Sequence, residues 1–260
     1  MSEPEDELLT VAHEAARAAA HELMSRFGGH VRGVRTKSTA TDPVSEADLA
    51  AEAAIRRVLG ERRPADAILG EEGGQSGDGE LRWIVDPLDG TVNFLFGIPQ
   101  FSVSVACQDS EGMVVGVVLD PVREETFAAT RSGPPTLNDH AISGSARDDL
   151  ATALVATGFA YDAAVRAKQA VVMGRVLPRV RDIRRAGSAA LDLAWLACGR
   201  YDAYYERGVN LWDYAAGALI ASRAGLAVRE LAAGDDGPAG LAAAAPALLD
   251  EMLGLILDDD

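Results

Sequence analysis

Cysteine is scarce: Cys107 and Cys198 are the only two in 260 residues. Both sit in apolar runs and show no metal-ligand spacing, so they read as buried thiols in a reducing compartment. Basic side chains are also few, 24 against 40 acidic ones, for a formal charge of -16. Such a surplus opposes binding to nucleic acid or to an anionic membrane. No uninterrupted apolar stretch approaches the roughly 20 residues that span a bilayer. The opening Met1-Ser2-Glu3-Pro4-Glu5-Asp6-Glu7 is acidic where a secretory signal would be basic. A cytoplasmic protein is expected. Repeats and low-complexity tracts are missing as well. What is present is ordinary for a globular chain, with 48% apolar and 25% charged residues, enough for a sizeable core in one large domain or two packed halves.

Periodicity divides the chain in two. Leu8, Leu9, Ala12, Ala15, Ala16, Ala19, Leu23 and Met24 recur at helical intervals before Gly28-Gly29, and a second helix follows Asp42-Pro43. Strand-like runs follow at 67–69, 81–85, 101–107, 114–119 and 126–130, with a polar-apolar alternation from Phe101 to Val105. From 153 onward strands and helices alternate: strands at 153–157, around Ile183, at 203–206 and 226–231; helices at 162–177, 188–198, 212–224 and 245–257. The stretch 232–240 reads as a loop. This pattern predicts a layered α/β protein, with an α+β first lobe over 1–142 and an α/β second lobe over 143–260. The boundary falls near Ser143, in the turn-rich stretch Arg131 to Ser145.

The informative feature is where carboxylates interrupt apolar runs. Trp83-Ile84-Val85 ends in Asp86-Pro87-Leu88-Asp89-Gly90-Thr91. Two aspartates three residues apart, tightened by Pro87 and Gly90, would point into one small space. Ionised, they need a cation between them, and hard oxygen ligands favour Mg²⁺, Mn²⁺ or Ca²⁺. An acidic hairpin turn is the alternative for the motif alone. Ile68-Leu69-Gly70-Glu71-Glu72 again ends an apolar run in acids. Asp213 stands at a helix start, where it could simply cap the helix. Asp42-Pro43-Val44-Ser45-Glu46-Ala47-Asp48, with Lys37 before it, could be an ordinary helix entry.

Together these stretches resemble the inositol monophosphatase family. Trp83-Ile84-Val85-Asp86-Pro87-Leu88-Asp89-Gly90-Thr91-Val92-Asn93-Phe94 matches its strand-ending signature in full, and Leu211-Trp212-Asp213-Tyr214-Ala215-Ala216-Gly217 is similar to its later Trp-Asp motif. Arg185-Ala186-Gly187-Ser188-Ala189-Ala190 and Asp202-Ala203-Tyr204-Tyr205-Glu206 are similar to its substrate-side segments. The resemblance runs from about Lys37 to Gly225. It implies an αβαβα sandwich of the inositol monophosphatase and fructose-1,6-bisphosphatase type with the site between the lobes. It also implies a phosphoric monoester hydrolase using two or three Mg²⁺ ions, with Mn²⁺ a possible substitute, sensitivity to lithium, and a homodimer.

The metal ligands it implies are Glu71, Asp86, Asp89, Asp213 and the Leu88 carbonyl. A metal-bound water, deprotonated with help from Glu71 or from Thr91 paired with Asp48, would attack phosphorus in line. Substrate contacts would come from Lys37, Asp89, Gly90, Thr91, Ser188, Ala189 and Glu206. Gly90 and Thr91 would cradle the phosphate with backbone amides, and Glu206 would accept from polyol hydroxyls. The leading substrate is myo-inositol monophosphate. Histidinol phosphate, fructose 1,6-bisphosphate and adenosine 3′,5′-bisphosphate are alternatives, as is a regulatory protein-binding role. A metal-free glycosidase with a carboxylate pair is a third class. Pro134-Pro135 and Asn210 depart from the family's usual pattern near the expected substrate entrance, which bears on the leaving group rather than on the reaction.

Overall fold

The computed structural model describes residues 5–28, 35–36, 43–235 and 237–257. The first helix, α1 (Glu5–Met24), buries Leu8, Val11, Ala12, Ala15, Ala16, Ala19 and Leu23, a stripe at three- and four-residue spacing. Glu5, Asp6 and Glu7 fill its first turn, where negative charge suits the helix dipole. A short strand pair, β1 (Arg35–Thr36) and β2 (Pro43–Val44), leads to α2 (Glu46–Arg62). Ser45 caps α2: its hydroxyl accepts from the Ala47 amide at 3.1 Å, while its own amide donates to Asp48 Oδ2 at 2.8 Å. Alanines on both helices share one apolar cluster, so α1 and α2 lie close together over the same sheet.

That sheet contains β3 (Ala67–Gly70), β4 (Gly74–Ser76), β5 (Arg82–Asp89), β6 (Ser102–Asp109), β7 (Gly112–Asp120), β8 (Glu125–Thr130), β9 (Thr136–Leu137) and β10 (His140–Ala141). Its order is β10-β9-β8-β7-β6-β5-β3-β4. The one parallel pair is β3 with β5. A single-turn helix, α3 (Thr91–Leu95), separates β5 from β6. Alternate residues of the central strands feed different layers: Trp83, Val85 and Val105 pack under α1 and α2, while Ile84, Ala106 and Val118 face the opposite way.

The second sheet is made from β11 (Leu154–Thr157), β12 (Asp182–Arg184), β13 (Ala203–Arg207), β14 (Ala227–Leu231) and β15 (Gly240–Ala244), in the order β12-β11-β13-β15-β14. Between the sheets lie α5 (Ala189–Ala197) and α6 (Leu211–Arg223), in an apolar cluster that joins Ile84 and Val118 to Tyr204 and Ala243. A Cβ at Gly116 would fall 2.9 Å from Ala216 Cα, so the approach of α6 to β7 depends on small residues. The outer face is closed by α4 (Ala163–Val176) and α7 (Pro246–Ile256), packed on Val155, Tyr205 and Ala242. Helix, sheet, helix, sheet and helix therefore stack in five layers, as the resemblance implied.

One central strand carries no signal in the sequence. Gly240-Leu241-Ala242-Ala243-Ala244 lacks the β-branched and aromatic residues that mark strands, yet β15 lies between β13 and β14 and is buried throughout. Its neighbours explain the composition, since a Cβ at Gly240 would sit 2.1 Å from the Glu206 carbonyl. Both cysteines are free; Cys107 is buried, with burial pushing its thiol up to about 12, and Cys198 is half-buried. Among the described residues no helix is long and apolar enough to cross a membrane.

Candidate active site

In a regular strand, residues three apart point to opposite faces. Asp86 and Asp89 avoid this because the β5–β6 register shifts between the pairs Asp86↔Ser104 and Asp89↔Ser102. The extra residue is a bulge at Pro87-Leu88, a place where proline's missing donor costs no ladder bond. Both aspartates thereby line one cavity of about 290 Å³, together with Glu71, Leu88, Glu206 and Asp213. Asp86 Oδ1 accepts from the Leu88 amide at 2.9 Å, which fixes the bulge from within.

Gly90 turns the chain out of the strand with φ of +101°, a conformation that needs glycine. A Cβ there would also lie 3.0 Å from the Gln100 carbonyl and 3.1 Å from that of Gly187. No side chain caps the start of α3, so its first amides remain available beside the cavity. The Thr91 hydroxyl lies 3.0 Å from Asp48 Oδ1 and 3.2 Å from the Leu88 carbonyl. Asp48 itself is fully buried and reaches the cavity through Thr91. Asn93 donates to the Gln100 and Ala186 carbonyls at 2.7 and 2.8 Å, tying α3 to the segment that precedes α5.

Asp89 is heavily solvated by the protein. Ser188 Oγ donates to its Oδ2 at 2.6 Å, the Ala190 amide to the same oxygen at 2.7 Å, and the Ala189 amide to Oδ1 at 3.2 Å. Ser188 and Ala189, expected on the polyol side, thus have these donors committed to Asp89; Ala189 lines the cavity, and Ser188 does not. The cap of α6 is Asn210 rather than Asp213; Asp213, in the first turn, completes the capping box by accepting the Asn210 amide at 2.6 Å, and it also faces the cavity. Glu206 is held by the Tyr204 hydroxyl at 3.2 Å.

Burial, then the charges of Glu71, Asp89 and Asp213, push the Asp86 carboxyl well above the usual range. Burial does the same to Asp213, with Asp89 and Glu71 adding to it. For Asp89, burial prevails over the pull of Ser188 and the two backbone amides, giving about 6. Glu206 is pushed up to about 7 by burial, against the opposing charge of Arg185. Four acids from three separate segments thus share a space where they cannot all ionise without a counter-charge. All the donors are oxygens, which fits Mg²⁺ or Mn²⁺. Among the described residues no three such side chains close on one point as a ready cage; instead Asp86, Asp89 and Asp213 each turn an oxygen toward an N–H donor.

Lys37 lies outside the described residues. Three features escaped the sequence reading. Arg185 lines the cavity, although its motif had drawn attention only to the serine and alanines after it. Phe159 and Tyr161, from the loop before α4, line it too and lie in no motif. Asp192 on α5 is buried with neither carboxylate oxygen hydrogen-bonded among the described residues, and burial pushes it well above the usual range. Only its oddity inside an apolar helix could have flagged it.

A family model described as the inositol monophosphatase family matches residues 5–256. The inositol-1-monophosphatase SuhB of Mycobacterium tuberculosis is 45% identical over 242 residues, covering 88% of this chain and 83% of that protein. A protein of Pseudomonas aeruginosa named Nus factor SuhB is 43% identical over 230 residues, covering 84% of this chain and 83% of its own length. The crystal structure of the extragenic suppressor protein suhB from Bartonella henselae superposes with a TM-score of 0.90 at 34% identity, covering 97% of this chain and 99% of that one.

Proposed function

Because the chain belongs to the inositol monophosphatase family, we propose that it hydrolyses the phosphate monoester of a small polyol in a Mg²⁺-dependent reaction, with myo-inositol monophosphate the leading substrate. As a member of that family it is a phosphoric monoester hydrolase. The observation that carries the reading is the gathering of Glu71, Asp86, Asp89 and Asp213 around one cavity whose wall includes Gly90 and Thr91.

Those four carboxylates and the Leu88 carbonyl would hold the cations. Bound there, Mg²⁺ offsets the charge of the phosphate and acidifies water. The chain's own residues do the rest. The open amides at Gly90 and Thr91 receive the phosphate oxygens, with the helix start favouring negative charge. The proton of the attacking water would go either to Thr91 as its hydroxyl passes its own proton to Asp48, which already accepts from it, or directly to Glu71. Asp89, fixed by Ser188 and the α5 amides, borders the polyol end, where Glu206 accepts from ring hydroxyls. Lys37 completes the phosphate contacts in this proposal. The cleft between two lobes, 1–142 and 143–260, a homodimer, a cytoplasmic setting and inhibition by lithium belong to the same proposal.

A second reading, a regulatory role on a protein partner, is favoured by the relative named Nus factor SuhB. Against it as the sole function, all four candidate ligand acids are retained.

A phosphate-release screen over a panel of phosphomonoesters tests the proposal. The highest kcat/KM is expected for inositol monophosphate with Mg²⁺, and EDTA should abolish turnover. A higher value for histidinol phosphate or a bisphosphate would move the substrate within the same chemistry. Turnover that survives EDTA would contradict the metal-dependent reading.

A further inference from the structure

On α2, Asp48 and Glu52 are four residues apart and so lie on one face of the helix. Both are buried, at 0% and 3% exposure. Asp48 serves Thr91 at one side of the cavity. Glu52 reaches the other side, the turn that carries Glu71. Its Oε2 accepts the Glu72 amide at 2.8 Å and its Oε1 the Gly73 amide at 2.9 Å. Arg56 completes the arrangement, donating from Nε to Glu52 Oε1 at 2.7 Å, from Nη2 to the Gly74 carbonyl at 2.8 Å and from Nη1 to Ser76 Oγ at 2.9 Å.

The glycines around Glu71 are shaped to this carboxylate. A Cβ at Gly70 or at Gly73 would fall 2.6 Å from Glu52 Oε1. On its other side the turn is tied to β5, since the Glu71 amide donates to the Val85 carbonyl at 3.2 Å, one residue before Asp86. The backbone on both sides of Glu71 is therefore pinned, by β5 before it and by Glu52 after it. From this fixed base the Glu71 carboxylate lies close enough to Asp86 for its charge to push the Asp86 carboxyl up, and both line the same cavity.

We propose that Glu52 is a positioning residue: by accepting the Glu72 and Gly73 amides it sets the place of the Glu71 carboxylate opposite Asp86 and so the affinity of the site for Mg²⁺. The role rests on the reading of Glu71 as a metal ligand given above. Glu52 itself does not line the cavity.

Glu52→Gln tests it, because the substitution preserves shape while setting an amide donor against the donors of the turn. In the metal-free protein, hydrogen exchange at Glu72 and Gly73 should accelerate at least tenfold, with cooperative melting retained. By calorimetry the Mg²⁺ dissociation constant should rise tenfold or more. In a Glu71→Gln background, adding Glu52→Gln should cost nothing further, since neighbours that act through one group are not additive. A general loss of structure would instead add to the Glu71→Gln effect, and that result would overturn the positioning role. So would unchanged Mg²⁺ affinity in Glu52→Gln beside clear wild-type uptake. Absence of uptake by the wild type would overturn the underlying reading of the site, and the exchange rates would still decide whether Glu52 holds the turn. Should Glu52→Gln fail to fold, Gly73→Ala, which pushes a methyl against the same carboxylate, is expected to weaken Mg²⁺ binding likewise; a folded Gly73→Ala with wild-type affinity would overturn the proposal.

Discussion

The Thr91 hydroxyl donates to Asp48 Oδ1 at 3.0 Å, joining residues 43 positions apart. The other oxygen of Asp48 accepts from the Ser45 amide and hydroxyl at 2.8 and 2.6 Å, so the carboxylate that caps α2 also orients Thr91. A helix start and the proposed Thr91–Asp48 dyad are here one structure.

Replacing the hydroxyl should therefore cost turnover more than stability. Thr91→Val is expected to lower kcat by roughly 10²- to 10⁴-fold, the range for losing general-base assistance, and stability by about 1 kcal/mol, the worth of an ordinary hydrogen bond. Thr91→Ser should recover much of the rate. Steady-state phosphate release, paired with urea melts, makes the comparison. Wild-type kcat in Thr91→Val would remove Thr91 from proton transfer.

Gly90 has a backbone reason and a packing reason to remain glycine, its φ of +101° and the Gln100 carbonyl 3.0 Å from any Cβ. Gly90→Ala is expected to cost about 1–3 kcal/mol through forced backbone strain and to displace the amides proposed to receive phosphate. Denaturant midpoints measure the first effect and inhibition by inorganic phosphate the second. A variant with an unchanged midpoint would show that the turn tolerates a side chain.

Glu206→Ala should hurt substrates in proportion to their hydroxyls. The ratio of kcat/KM for inositol monophosphate to that for p-nitrophenyl phosphate is expected to fall tenfold or more, matching the loss of hydrogen bonds to a charged acceptor. An unchanged ratio would count against a polyol-binding role.

Much of the candidate site could be read from the chain because its residues sit in short segments at element ends: Asp86 to Thr91 at the end of β5 and the start of α3, Glu71 after β3, and Asp213 at the start of α6. What could not be read depends on distance in space. The bulge that turns Asp86 and Asp89 to the same side is defined by the β6 register. The alanine-rich β15 is a strand because it pairs with both β13 and β14 and is buried between them. Glu52 looks like a solvated charge on a helix, and Arg185 heads a substrate-side segment without a role of its own; only the packed structure shows the first against the Glu71 turn and the second in the cavity wall.

Glu206 also gives a pH dependence of stability. Its carboxyl is raised from 4.5 to about 7 by burial, with Arg185 lowering it and Asp89 raising it; Tyr204 is hydrogen-bonded to it, and Asp192 and Asp213 are nearby acids that feel its charge. A raised acid binds its proton more tightly in the folded state, so this stability is fully present below about 4.5 and is lost as pH rises through about 7. Without divalent cations, Tm should fall between pH 5 and pH 8. Glu206→Gln should flatten that slope in thermal melts. An identical slope in the variant would assign the effect to other acids.

The central claim is that Glu71, Asp86, Asp89 and Asp213 form one cation site, and Mg²⁺ calorimetry on wild type and Asp86→Asn, with and without inorganic phosphate, tests it most directly. The predicted result is saturable uptake by the wild type, strengthened by phosphate. Asp86→Asn, still melting cooperatively, should take up little or none and release no phosphate from substrate. Wild type without uptake, or Asp86→Asn with wild-type uptake and turnover, would contradict it.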